Sequence, residues 1–151
     1  MKYRGNVVLG EAIAEQMADF VRSLQWPVDM MIPVPLGKKR LKERGYNQVG
    51  LVARPLAHEV GLGYEPDALW KARETRSQVG LTVSQRQDNV QHAYEANPKV
   101  VERKSILIMD DVATTGSTIA ACTEALISAR AQDVYVLTIA RALSHHSLDR
   151  V

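Results

Sequence analysis

The stretch "SILIMDDVATTGSTI", Ser105 to Ile119, constrains the fold more than any other part of the chain. Ile106, Leu107, Ile108 and Met109 are apolar without alternation, so a strand here has to be buried on both faces. Only a sheet covered on both sides by other elements provides that environment. "VDMMIPVP", Val28 to Pro35, is a second apolar run, bounded by prolines, and reads as a buried strand entering a loop. "DVYVLTIARAL", Asp133 to Leu143, reads as a final buried strand.

Amphipathic segments separate these runs. In "VLGEAIAEQMADFVRSL" the residues Leu9, Ala12, Ile13, Met17, Phe20, Val21 and Leu24 recur at helical spacing, and Pro27 ends the helix. A second helix, from about Tyr46 to Val60, presents Val49, Leu51, Val52, Leu56 and Val60. Pro55 falls inside it, removes a backbone bond at a cost of ~3 kcal/mol and predicts a bend. A third helix follows Gly116 and carries Ile119, Ala120, Thr123, Leu126 and Ile127. Weak strands are expected near Ala68–Lys71 and in "AYEA", and Ser84 with Gln87 has the spacing of a capping box. "KKRLKERG", Lys38 to Gly45, reads as a strongly basic loop. Buried strands alternating with helices predict an α/β fold, a parallel sheet flanked by helices on both faces. Its 151 residues suit one domain, 1–151, with about 70% of the unfolded surface buried.

Charge and cysteine content exclude several classes. A net charge of +2 gives no direct nucleic-acid signal, so phosphate binding would have to come from local clusters. Cys122 is the single cysteine, which excludes an internal disulfide and a cysteine-based zinc site and favours a reducing cytoplasm. No apolar run reaches the ~20 residues of a membrane helix, and "MKYRGN" lacks the apolar region of a signal peptide. Cys122 among alanines reads as a buried packing residue, Trp26 and Trp70 as core or rim. The adjacent His145 and His146 lack metal-ligand spacing.

Asp110 and Asp111 stand at the carboxyl end of a parallel strand, where ligands of open sheets bind. Ala113, Thr114, Thr115, Gly116, Ser117 and Thr118 then lead into a helix whose first amides and dipole attract an anion. Carboxylates repel phosphate, so the acids are expected to face hydroxyls, as a sugar phosphate would offer. A lone acid there would be a helix cap. A receiver domain places its paired acids nearer its start, and no G-x-x-x-x-G-K-[ST] string occurs. Lys38, Lys39, Arg40, Lys42 and Arg44 follow the strand ending at Val34 and suit a diphosphate, although a charge run usually marks a solvated loop. Arg73, Arg76 and Arg86, with Thr75 and Gln78, populate a polar segment that reads either as a surface loop or as a flap over a charged substrate.

"ILIMDDVATTGST" resembles the phosphoribosyl pyrophosphate signature of type I phosphoribosyltransferases. "KYRG", "PVPLGKKRLKERGYNQ" and "TRSQVGLTVSQRQDNV" resemble, in the same order, the ComF/GntX-like competence proteins of that superfamily. The resemblance implies that Asp110 and Asp111 hold ribose hydroxyls as the catalytic pair and that Ala113–Thr118 hold the 5-phosphate. It implies a pyrophosphate loop at Pro35, Leu36, Gly37, Lys38 and Lys39. It implies a flexible loop containing Arg73, Thr75, Gln78, Arg86 and Asn89. Magnesium would accompany the pyrophosphate with no direct side-chain ligation. The family's cysteine-rich zinc segment precedes "KYRG", so no zinc is expected in this chain. The implied activity is transfer of a phosphoribosyl group to a nitrogenous base. The alternative is a non-catalytic, ligand-binding accessory protein in DNA uptake. The implied partners are the phosphoribosyl ligand, a protein of the competence machinery and a second copy in a homo-oligomer.

Overall fold

The computed structural model describes residues 2–74, 80–85, 92–113 and 116–141, with backbone alone at 2, 3, 113 and 141. Four parallel strands form the central sheet: β1 (Met30–Pro33), β2 (Gly63–Tyr64), β5 (Ser105–Ala113) and β6 (Asp133–Arg141), in the order β2-β1-β5-β6. A separate antiparallel ribbon pairs β3 (Leu69–Lys71) with β4 (Tyr94–Ala96), Trp70 opposite Glu95. The helices are α1 (Lys2–Leu24), α2 (Lys38–Arg44), α3 (Gln48–Val60), α4 (Pro98–Val101) and α5 (Ser117–Ser128).

The unbroken apolar runs feed two cores. Met31, Leu107, Met109 and Leu137 turn to one face, against α1 and α3. Met30, Ile32, Ile106 and Ile108 turn to the other, against α5 and the ribbon. The expected sheet with helices on both faces is therefore the observed one. Cys122 is buried in the second core, as its alanine-rich surroundings suggest.

Two expectations are corrected. The basic "loop" is a helix: Lys38–Arg44 form α2, closed by Gly45 in the left-handed region at φ 82°, its N–H donating to Leu41 O. Lys38 and Lys39 thus belong to a helix. β6 is an edge strand, with Val136 36% and Ile139 39% exposed, so its outer half is not buried. A reciprocal capping pair is formed by Thr82 and Gln85 (3.0 and 3.2 Å), while Gln87 of the expected pair lies outside the described residues.

The buried face of α1 also differs. Gly10, Ala14, Ala18 and Val21 point inward, while Leu9 is 59% and Phe20 55% exposed and Ala12 is exposed. The reason lies in α3. Pro55 has no N–H, so the Leu51 carbonyl cannot receive its usual helix bond, and the proline ring crowds it aside. A Cβ at Gly10 would stand 2.5 Å from that Leu51 oxygen. The two helices approach so closely there that only small residues fit between them.

Gly10→Ala should lower stability by about 1–3 kcal/mol, because the clash is with backbone. Gly5→Ala, at an exposed helical glycine with nothing within 4 Å, should raise it by about 0.5–1 kcal/mol. Urea unfolding of both variants checks the pair, and equal effects would refute the close-approach account.

Candidate functional site

The site follows from unequal strand lengths. β1 and β5 run in register from Met30↔Ile106 to Pro33↔Met109, and the Val34 N–H donates to Met109 O at 2.8 Å. There β1 turns away through Pro35, Leu36 and Gly37, while β5 continues with β6 alone. Asp110 and Asp111 occupy this overrun, both half-buried, and so lie in the strand rather than after it. The ladder pairs Asp110 with Thr138 and Val112 with Ala140. Between them the Asp111 N–H donates to Asp110 Oδ1 (2.9 Å) and the Val112 N–H to Asp111 Oδ1 (2.8 Å). Each carboxylate is held by the next amide, and the two side chains also bond each other.

Gly116 caps α5 at φ 79°, a left-handed conformation that glycine adopts without strain. Ser117 is buried and Thr118 half-buried in the first turn. Thr118 is hydrogen-bonded to the hydroxyl of Tyr94 on β4. Ala113 ends β5, and Thr114 and Thr115 lie outside the described residues. On the facing side, Gly37 is buried at the start of α2, with Lys38 and Lys39 exposed beyond it. Asn47 fixes this corner: its Oδ1 accepts from the Val49 N–H and its Nδ2 donates to Val34 O (3.0 Å), binding α3 to the end of β1. Arg73 leaves β3 with its N–H on Ala93 O (3.2 Å); Thr75, Gln78, Arg86 and Asn89 lie outside the described residues.

Three groups that sequence reasoning did not assign to the site converge on it. Tyr94 is buried and its hydroxyl is pushed up by desolvation, then by Cys122 and Asp110, with the Thr118 bond opposing. Lys71 sits with Nζ 6.0 Å from the Tyr94 ring centroid, and half-burial lowers its pKa while Glu74 raises it. Arg40 of α2 acts on both Tyr94 and Lys71. The ribbon thus brings one aromatic ring within reach of Asp110, Lys71 and Arg40. Burial pushes the Cys122 thiol up, with Asp110 adding to the shift, so it stays protonated. A cleft of about 680 Å³ opens elsewhere, between α5 and β4, lined by Trp70, Glu95, Glu102, Ala125 and Arg130; Tyr94 reaches it, but neither acid does.

Asp110 is pushed up to about 6, by desolvation first and by Asp111 next. Among the described residues no three His, Cys, Asp or Glu side chains form a metal-holding group. No helix among them is long and apolar enough to cross a membrane.

The known proteins that this chain resembles fall into two sets. The DNA utilization protein YhgH of Salmonella typhimurium is 35% identical over 127 residues, covering 84% of this chain and 55% of that protein. Competence protein F of Haemophilus influenzae is 28% identical over 116 residues, 76% of this chain and 51% of its own. Among solved structures, the allosteric regulatory enzyme of purine biosynthesis superposes with a TM-score of 0.57 at 21% identity, over 93% of this chain and 26% of that one. Adenine phosphoribosyltransferase of Thermoanaerobacter pseudethanolicus gives 0.52 at 15% identity, over 88% and 80%. The chain is a homologue of these DNA utilization and competence proteins, with a type I phosphoribosyltransferase fold. It spans about half the length of the curated relatives it matches. No protein-family model matches it. In this chain the acid pair, the start of α5 and the Pro35–Gly37 turn all lie along one carboxyl edge of the sheet.

A raised carboxyl pKa means that the folded state holds a proton more tightly than the unfolded state. Between about pH 4 and 6 the native chain binds more protons, so the Asp110 contribution to stability falls as pH rises through that window and stays lost above it. Asp110→Asn should therefore raise the melting temperature at pH 7.5 by roughly 2–4 °C, after discounting for solvent screening, with the gap closing below pH 4. Thermal melts across pH 4–8 measure this. A variant less stable at pH 7.5 than the parent would make the acid structural.

Proposed function

We propose that the chain binds 5-phosphoribosyl pyrophosphate and transfers its phosphoribosyl group to a nitrogenous base. The observation that carries this reading is the joint placement of Asp110–Asp111 and the Gly116–Thr118 helix start at one strand end. Acceptor-only carboxylates suit ribose hydroxyls, which donate. The amides opening a twelve-residue helix, with Ser117 and Thr118, suit the 5-phosphate. The Pro35–Gly37 turn and the cations Lys38, Lys39, Arg40 and Lys71 suit the diphosphate.

In the transfer, the C1–oxygen bond of the ribose breaks, pyrophosphate leaves with the electron pair and an acceptor nitrogen forms the new bond at C1. The chain's part is to hold the pieces in line and to stabilise charge on the departing diphosphate. Carboxylate donors suit magnesium, a hard cation that takes oxygen ligands. With no three-ligand group among the described residues, it would arrive with the diphosphate and neutralise part of its charge.

The names of the relatives favour a second reading, a non-catalytic protein that binds the phosphoribosyl ligand and serves DNA uptake through a protein partner in the cytoplasm. Calorimetric titration with phosphoribosyl pyrophosphate and magnesium tests what both share: saturable heat is expected, and its absence overturns both. Asp110→Asn with Asp111→Asn should reduce affinity at least ten-fold, the loss of two hydrogen bonds to charged groups. Pyrophosphate release with one of a panel of bases supports transfer, and binding without release supports the accessory role.

A further inference from the structure

Gly37 adopts φ −64° and ψ 154°, extended backbone open to any residue, so the path of the chain does not call for glycine there. Space does. A Cβ at Gly37 would stand 2.7 Å from Glu74 Oε2 and 3.0 Å from Oε1, so the Glu74 carboxylate lies directly against the turn. The ribbon delivers it there. Both the Ala72 and Arg73 N–H groups donate to Ala93 O, at 2.7 and 3.2 Å, which fixes the chain as it leaves β3. Cations attract it: Lys71 interacts with Glu74, and Arg40 and Arg73 share the same corner. A negatively charged group thus already covers the turn at which a diphosphate would be received.

We propose that Glu74 is a built-in competitor for anions at the Pro35–Gly37 turn, occupying the space over Gly37 that an arriving phosphate group has to take. This rests on the reading of that turn as the seat of the diphosphate. The consequence is selectivity. A free anion has to displace Glu74 with its charge alone, against like-charge repulsion. A ligand anchored at the α5 cradle and the acid pair delivers its diphosphate at high local concentration and displaces the side chain readily. Glu74 then discriminates a phosphoribosyl diphosphate from free diphosphate.

The test is titration of the full chain and of Glu74→Gln with sodium pyrophosphate and, separately, ribose 5-phosphate, in magnesium-free buffer at low salt. Glu74→Gln should bind pyrophosphate roughly three- to ten-fold more tightly, and the gain should shrink at 0.5 M salt. Ribose 5-phosphate affinity should be unchanged. Glu74→Ala, which also removes the bulk, should gain at least as much. Pyrophosphate binding that is equal or weaker in Glu74→Gln, or absent from both proteins, overturns the proposal. An equal gain for ribose 5-phosphate overturns it too, since that marks a general charge effect. Failure of ribose 5-phosphate to bind either protein bears instead on the 5-phosphate cradle, and is read independently of the Glu74 comparison.

Discussion

The structure depends on one asymmetry: β5 is longer than the neighbour that buries it. Up to Met109 it is the centre of a four-stranded sheet and supplies both cores; beyond Met109 only β6 accompanies it. The change from apolar to acidic residues falls at the same point. A carboxylate one residue earlier would face a closed interior, where a charge is costly without a partner. Further out it would be solvated and ordinary. At the overrun Asp110 is half-buried, bonded to the next amide and set beside a second acid, which raises its pKa without neutralising it permanently. Such strain marks groups arranged for a ligand more often than for stability.

The opposite face of the sheet rests on a second constraint, the missing bond at Pro55. Its cost to α3 is legible in the sequence, but its consequence is not, because the displaced Leu51 carbonyl meets a residue 41 positions earlier, Gly10. Once Gly10 is fixed as the contact, Ala14 and Ala18 follow at one-turn intervals. Large apolar residues such as Leu9 and Phe20 are rotated outward. A reading by hydrophobicity alone chooses the bulky stripe; close helix packing chooses the small one.

The same distinction explains what else was legible. Strands β1 and β5 and helix α5 are long, unambiguous patterns, and each appears where the apolar runs place it. Helix α2 has only Leu41 as an apolar residue, itself 43% exposed, so no periodicity announces it. It forms because Lys, Arg, Leu and Glu are good helix formers and Gly45 closes it. The acid pair and the helix start are contiguous in sequence and were readable as one unit. Tyr94, Lys71 and Arg40 were not, since the place of Tyr94 by Asp110 and Thr118, and of Lys71 and Arg40 by Tyr94, comes from the separate β3–β4 ribbon and from α2. No local pattern encodes a meeting between elements that far apart.

That meeting gives the edge a direction. Asp110 and Asp111 set negative charge at one place, Arg40, Lys71 and the start of α2 carry positive charge at another with Glu74 among them, and the buried Tyr94 is within reach of both groups. Tyr94 is the spacer that the two groups share: Lys71 lies by its ring with Glu74 as acidic neighbour, and Asp110 acts on its hydroxyl. Because Tyr94 also bonds Thr118, the spacer is anchored to the helix that would hold a phosphate. An unsymmetrical ligand, with hydroxyls at one part and anionic groups at two others, then has a single favourable orientation along the edge. Reversal would set phosphate against carboxylate. The sign pattern of a few side chains thereby selects a ligand pose before any acceptor is considered.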